Sequence, residues 1–361
     1  MASAPEEPPT ASTEQPEEPG QSPAAGAAES GNPSTEVPEP IAEQDFDDHD
    51  SAVDSSSVYT DTTSLSSSVT KYREENGRRY HAYGSTEHWG PNDEMAQDQQ
   101  DLSHHLWTLT LNGRLYLAPI EKPQNVLDLG TGTGIWAIDM ADAHPQASVK
   151  GIDLSPIQPS WVPPNVKFEV DDYNLEWLDV EKYDLIHARE LLGSVPSWPE
   201  MYKKVMKALK PGGWFDQAEP GLYLISDYNT LGEDHVYHKW GKLMQDAGRL
   251  SGMSFDIGPY LKGWLEEAGF INVTEIRVPW PVGRWPKDPR QREIGMFNQA
   301  RLDQGIMDFC SRRFANNLGW TKEELDVFGA LMRGAINNPR LLAHQWVYFV
   351  YAQKPPRPET E

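Results

Sequence analysis

The stretch Val126 to Ala141, VLDLGTGTGIWAIDMA, limits what this chain can fold into more than any other. An apolar run carrying Asp128 gives way to glycines at 130, 132 and 134, separated by single threonines. Residues 126–129 suit a strand buried on both faces, and IWAIDMADAH after Gly134 suits the helix that packs back onto it. Glycine has no Cβ, so the backbone can turn sharply and approach a ligand closely. A ligand can therefore lie across the carboxyl end of that strand, as in open α/β sheets.

Two ligand chemistries use such a turn. A dinucleotide site has an acidic residue roughly 20 positions on, but its fingerprint places two residues between the second and third glycines. Here only Thr133 separates Gly132 from Gly134. Asp128 puts a carboxylate where the cationic end of a ligand is welcome. S-adenosylmethionine carries an ammonium and a sulfonium and no pyrophosphate, which favours it over a dinucleotide. A turn that serves packing alone is the third alternative.

The motifs that follow keep the order of a wound sheet. VKGIDLSP (Val149 to Pro156) reads as a second strand ending in Asp153, whose carboxylate can accept both hydroxyls of a ribose. NVKFEVDDYNLEW (Asn165 to Trp177) gives a third strand, then Asp171, Asp172 and Tyr173. The acids can accept from an adenine amino group or stand as solvated loop residues, and Tyr173 or Trp177 can cover the ring. YDLIHARELLGSV (Tyr183 to Val195) gives a fourth strand with His187, Arg189 and Glu190 at its open end, where the Arg or His meets the cofactor carboxylate or the substrate, or pairs with neighbouring acids. Trp198 to Leu209 has helical spacing and stops at Lys210-Pro211-Gly212-Gly213, before a fifth strand ending at Glu219. Such alternation predicts a parallel sheet with helices on both faces.

DLGTGTGIWAIDMA, GIDLSP, VPPNVKFEVDDYNLEW and LKPGGW together resemble the LaeA-like fungal methyltransferases, a group with regulators of secondary metabolism and pathway enzymes. The upstream segment from Tyr72 to Trp107, with YHAY and PND, is similar to the entry region of that group. AREL at Ala188 to Leu191 departs from it. The resemblance spans about Lys71 to Pro355 and implies a Rossmann-like, seven-stranded class I methyltransferase sheet with an antiparallel last strand. It also implies S-adenosyl-L-methionine as cofactor. The candidate cofactor-binding residues are Asp128, Gly130, Thr131, Gly132, Gly134, Asp153, Leu154, Asp171, Asp172, Tyr173 and Arg189.

Strands six and seven are expected at Phe270 to Trp280 and His344 to Lys354, paired antiparallel as the resemblance implies. Helices are expected at 235–250, 259–268 and about 325–336, and further helices within 92–117 to lie over the cofactor. The chain thus divides into a tail (1–70), a helical cap segment (71–120), a methyltransferase domain (121–355) with a helical insertion at about 281–340, and a short end (356–361). Long for a connection, the insertion suggests a cap.

Composition adds exclusions. Residues 1–70 hold no Lys or Arg and 15 Asp plus Glu, so they carry most of the formal net charge of −24. Rich in Pro, Ser and Glu, this tail is expected to be disordered. The remaining 40 acids against 31 bases have no electrostatic claim on nucleic acid. The single cysteine, Cys310, excludes an internal disulfide and a cysteine zinc site and points to an intracellular setting, cytoplasmic or nuclear. With no basic start followed by an apolar core and no membrane-length apolar run, neither secretion nor membrane spanning is expected, and no metal is expected.

Because a sulfonium is already a good leaving group, the protein has mainly to position the partners and exclude water. A general base is needed only when the acceptor holds its proton tightly; His187 and Glu219 are candidates by their strand-end positions, ahead of His81, His104 and His105. Two functions remain open. One is methyl transfer to a small metabolite or a protein. The other is a regulatory interaction protein that keeps the cofactor fold and acts through partners.

Overall fold

The structure, a computed structural model, describes residues 71–84, 86 and 88–358. The disordered tail expected over 1–70 and the final residues 359–361 lie outside them. The seven-stranded sheet is built from β3 (Asn125–Leu129), β4 (Ser148–Asp153), β5 (Val166–Val170), β6 (Tyr183–Arg189), β7 (Leu209–Pro220), β8 (Ile271–Pro281) and β9 (His344–Gln353). Its order is β5-β4-β3-β6-β7-β9-β8. Strands β3 to β7 pair parallel, whereas β9 runs antiparallel to both β7 and β8. This is the expected Rossmann-like methyltransferase sheet with its antiparallel last strand.

Strand β3 lies between two parallel neighbours, and Val126 to Leu129 are all buried. The apolar residues of α2 (Ile135–Ala143), Trp136, Ala137, Met140 and Ala141, pack on one face of the sheet. On the other face, α3 (Trp198–Ala208) buries Trp198, Met201, Tyr202 and Val205, joined by Leu261 and Leu265 of α5 (Leu261–Glu267). Helix α3 starts where the Ser197 side chain accepts from the Glu200 amide. It runs directly into β7, so Lys210 to Gly213 are the opening of that strand and not a separate turn. A register shift between Tyr183 and Leu185 of β6 absorbs the extra residues.

The cap comes from both ends of the described chain. A hairpin of β1 (Arg73–Glu75) and β2 (Arg78–Tyr80) turns at Asn76-Gly77, both at positive φ, as a two-residue hairpin turn favours. It is followed by α1 (Glu94–Thr110), one helix where several were expected. Between β8 and β9 stand α6 (Pro289–Leu318) and α7 (Lys322–Ile336). With α4 (Val236–Ser251) they enclose a second core that includes Tyr237, Trp240, Met244, Ile306, Phe314, Phe328 and Met332. Helix α6, with 30 residues, lies within the helical insertion expected at about 281–340, where the sequence reading delimited only the helix near 325–336. Its inner face carries buried Arg301, Asp308, Arg312 and Arg313, which breaks the apolar periodicity a sequence reading relies on.

Gly134 shows what packing asks of the glycine turn. It sits at φ +83° at the start of α2, and a Cβ there would lie 2.4 Å from Cζ of Phe168 on β5. Gly134→Ala is expected to lower folding stability by about 2–4 kcal/mol, from left-handed strain plus overpacking. Denaturant midpoints of the two proteins check this.

Candidate active site

The glycine turn opens at the carboxyl end of β3. Gly130 and Gly132 sit at φ +65° and +56°, in the left-handed region. A Cβ at Gly130 would lie 2.7 Å from Cδ2 of Leu191, and one at Gly132 would lie 2.5 Å from Oε1 of Gln100. Both glycines therefore keep a crevice floor bare that any larger residue would fill. The neighbouring strand end supplies Asp153. Its Oδ2 accepts from the Gly132 amide at 2.9 Å and its Oδ1 from the Ser155 amide at 2.8 Å. A carboxylate offers roughly four lone-pair directions, so acceptor capacity remains. Burial pushes the Asp153 carboxyl up to about 6, against the pull of those two amides. Asp128 lies beneath, buried, and accepts from the Thr131 hydroxyl at 2.6 Å. Burial raises its pKa too, with His187 and Thr131 opposing.

A cavity of about 210 Å³ joins these groups. Of the candidate residues, Asp128, Gly130, Thr131, Gly132, Asp153, Leu154, Tyr173 and Arg189 line it; Gly134, Asp171 and Asp172 do not. Asp171 is exposed and accepts from the Asp172 amide at 2.8 Å. Asp172 is buried, but its carboxylate takes the Thr86 hydroxyl and, at 2.8 Å, the Asn174 amide. Trp177 donates to the Tyr173 carbonyl and stays outside the lining. Arg189 reaches Nδ1 of His104 at 3.1 Å, and the other ring nitrogen of His104 meets Asp139 at 2.9 Å. That network suits a neutral imidazole with the proton on Nε2, in line with its pKa lowered by burial.

The two base candidates differ in placement. His187 lines the cavity, stacks on Trp136 at 3.9 Å between centroids, and has no hydrogen-bond partner on either ring nitrogen. Glu219 is fully buried outside the lining. Its carboxyl accepts from the Leu191 and Leu192 amides, each at 3.2 Å, and from Gln217 at 3.0 Å. Burial pushes it up to about 8, with these donors opposing. Glu219 braces the backbone of a cavity wall rather than facing the space.

Other residues that shape the site were not among the candidates. Glu190 holds φ +57°, a left-handed conformation unusual for a residue with a side chain. Its Oε1 collects Ser103 at 2.8 Å, Trp107 at 3.1 Å and Arg301 at 2.7 Å. It ties the end of β6 to α1 and α6. Helix α1 also clasps the glycine turn: Gln100 accepts from the Thr133 amide at 3.2 Å and Asp101 from its hydroxyl at 2.7 Å. Arg78 of β2 spans Asp93 before α1 and Asp308 of α6. Asn76-Gly77 was a legible hairpin signal; the partners of Glu190 lie too far along the chain to have one.

A second wall of the same cavity is apolar, with Trp89, Trp240, Met244, Phe255, Leu302 and Phe309. Among the described residues, no group of His, Cys, Asp and Glu could hold a metal ion, and no helix is long and apolar enough to cross a membrane.

The family described as a methyltransferase domain matches residues 103–275. The chain is 42% identical to methyltransferase pytC of Aspergillus terreus over 308 residues, 84% of this chain and 95% of that protein. It is 38% identical to the secondary metabolism regulator LAE1 of Cochliobolus heterostrophus over 239 residues, 64% of this chain and 78% of that one. Identity to the protein-methionine methyltransferase laeA of Emericella nidulans is 31% over 291 residues, 80% of this chain and 78% of that protein. A solved structure of Haemonchus contortus phosphoethanolamine N-methyltransferase 2 with S-adenosyl-L-methionine aligns at a TM-score of 0.43 and 18% identity, covering 70% of this chain and 52% of that one. With the fold, the strand-end cavity and these relatives in hand, the chain belongs to the LaeA-like family of fungal S-adenosylmethionine-dependent methyltransferases.

Proposed function

We propose that the cavity between the β3–β4 strand ends and the cap holds S-adenosylmethionine beside a methyl acceptor, in chemistry linked to fungal secondary metabolism. One observation carries the reading: the Asp153 carboxylate, held by the Gly132 and Ser155 amides, borders a cavity floored by two glycines in the left-handed region. The donor set fits the cofactor. Asp153 has acceptor capacity left for ribose hydroxyls, Leu154 and Tyr173 give apolar cover for the adenine, and Asp128 sets a carboxyl toward the cationic end. Arg189, a cation lining the same space, suits the cofactor carboxylate. Gly134, Asp171 and Asp172 shape the turn and the loop beneath.

Bound there, S-adenosylmethionine supplies an activated methyl group whose sulfonium is its own leaving group. The protein's share is orientation and exclusion of water. Gln100 and Asp101 hold the glycine turn under α1, and Glu190 with Arg301 holds α1 and α6 over the sheet. If the acceptor needs a base, His187 is the better placed of the two candidates. The acceptor is a metabolite or a protein; the name of LAE1, a secondary metabolism regulator, supports a regulatory setting, and that of laeA, a protein-methionine methyltransferase, supports a protein acceptor. The single buried cysteine supports an intracellular one, cytoplasmic or nuclear.

Asp153→Ala removes charge-assisted hydrogen bonds of about 1.5–3 kcal/mol, so S-adenosylhomocysteine should bind roughly ten- to 150-fold more weakly while the fold is kept; calorimetry and circular dichroism read the two. Unchanged affinity would remove the assignment. The pH dependence follows from the raised pKa of Asp153. Its carboxylate is ionised above about 6, so affinity should be full above that pH and decline as pH falls through it. In Asp153→Asn, which has no titrating group at that position, affinity should be weaker throughout and lose that decline.

A further inference from the structure

The wall of the cavity facing the cap has a chemistry of its own. Trp89 meets Phe255 and Phe309 edge to face, at 6.1 and 5.9 Å between centroids, and aromatic walls favour flat partners with ring edges and faces to offer. Trp240 and Met244 come from α4, and Leu302 and Phe309 from α6. All of these belong to the second core or pack against it.

The charges on this wall are already matched. Arg301 bonds Glu190 at 2.7 Å and Ser103 at 3.1 Å. Asp308 is bridged by Arg78. His88 also lines the cavity, and burial lowers its pKa to about 3, so its ring is neutral. A charged molecule entering here would shed its hydration and find no free counter-charge.

Four buried polar atoms of the lining are unmatched: Nδ1 of His81, both ring nitrogens of His187 and Nε2 of Gln99, the one amide among them. Nε2 of Gln99, on α1, has no hydrogen-bond partner, although the residue is only 6% exposed and lines the cavity. A buried amide left without an acceptor is costly, and a ligand oxygen would remove that cost. Resting on the reading of this cavity as the site of methyl transfer, we infer that the acceptor is a neutral, ring-bearing, largely apolar small molecule with an oxygen that accepts a hydrogen bond from the Gln99 amide.

Four naphthalene probes test this by calorimetry on the full chain saturated with S-adenosylhomocysteine: naphthol, naphthalene, naphthalenesulfonate and naphthylmethylammonium. Naphthol should bind, and each ion should bind at least about tenfold more weakly, since a buried unpaired charge is so costly. Naphthol should exceed naphthalene by roughly two- to tenfold, the worth of one hydrogen bond, and in Gln99→Leu this preference should vanish. Gln99→Met gives the same readout should the leucine variant lose the fold. An ion that binds as tightly as naphthol overturns the inference. So does a naphthol preference that survives both substitutions, or no naphthol binding to a chain that binds S-adenosylhomocysteine. Failure of S-adenosylhomocysteine itself to bind the wild-type chain would instead strike the cofactor reading.

Discussion

The hydrogen bond from the Gly132 amide to the Asp153 carboxylate at 2.9 Å, beside that from the Thr131 amide to the Ile152 carbonyl at 2.9 Å, joins the two strand ends on which the rest of the site stands. It requires Gly132 in the left-handed region, which a side chain would oppose. It also requires β3 and β4 side by side and parallel, which the register Leu129 to Ile152 provides. Once formed, it orients an acid that burial would otherwise drive toward its neutral form. The orientation of the acceptor above the glycine floor follows from that contact, while the pH dependence follows from the burial that the contact opposes.

The cap is held by a different physics. The sheet is bonded to its helices by apolar burial, and the N-terminal hairpin, α1 and α6 add charged pairs to the apolar cluster that α1 and α6 share through Leu106, Trp107 and Ile294. Arg78 lies between Asp93 and Asp308, Arg301 reaches Glu190, and Arg312 reaches Glu75. Ion pairs removed from water cost desolvation and reward only good geometry, so they specify one placement of the cap and tolerate few others. A site whose acceptor wall is built by that placement inherits its specificity. The left-handed Glu190 sits at the junction, and local strain of this kind persists only where surrounding contacts over-determine it.

Legibility in the sequence followed the range of each interaction. The strands from Val126, Val149, Val166 and Tyr183, and the helix from Trp198, were readable because apolar spacing and punctuation by glycine, proline and serine act within a few residues. The approximate ends of β8 and β9 were readable for the same reason. Within the expected helical insertion the extent of α6 was not readable because its inner face is charged, and that charge makes sense only beside Arg78 and Glu190. The likeness of Asp153 and Asp171 as strand-end acids hid a difference made by packing. One carboxylate turns to the glycine turn, while the other is exposed and bonds its own neighbour.

By itself the sequence determined the wound α/β sheet, since periodicity and the backbone freedom of Gly130 and Gly132 are local properties, and its resemblance to the LaeA-like family carried the class of cofactor. Only the tertiary structure decided which acids border the cavity, that Glu219 braces a wall, and that Gln99 has an unmatched amide in an apolar chamber. These depend on contacts such as Glu190 with Arg301 and Arg78 with Asp308, separated by 111 and 230 residues. Partners so distant leave no periodic trace in the chain, because it is folding that brings them together.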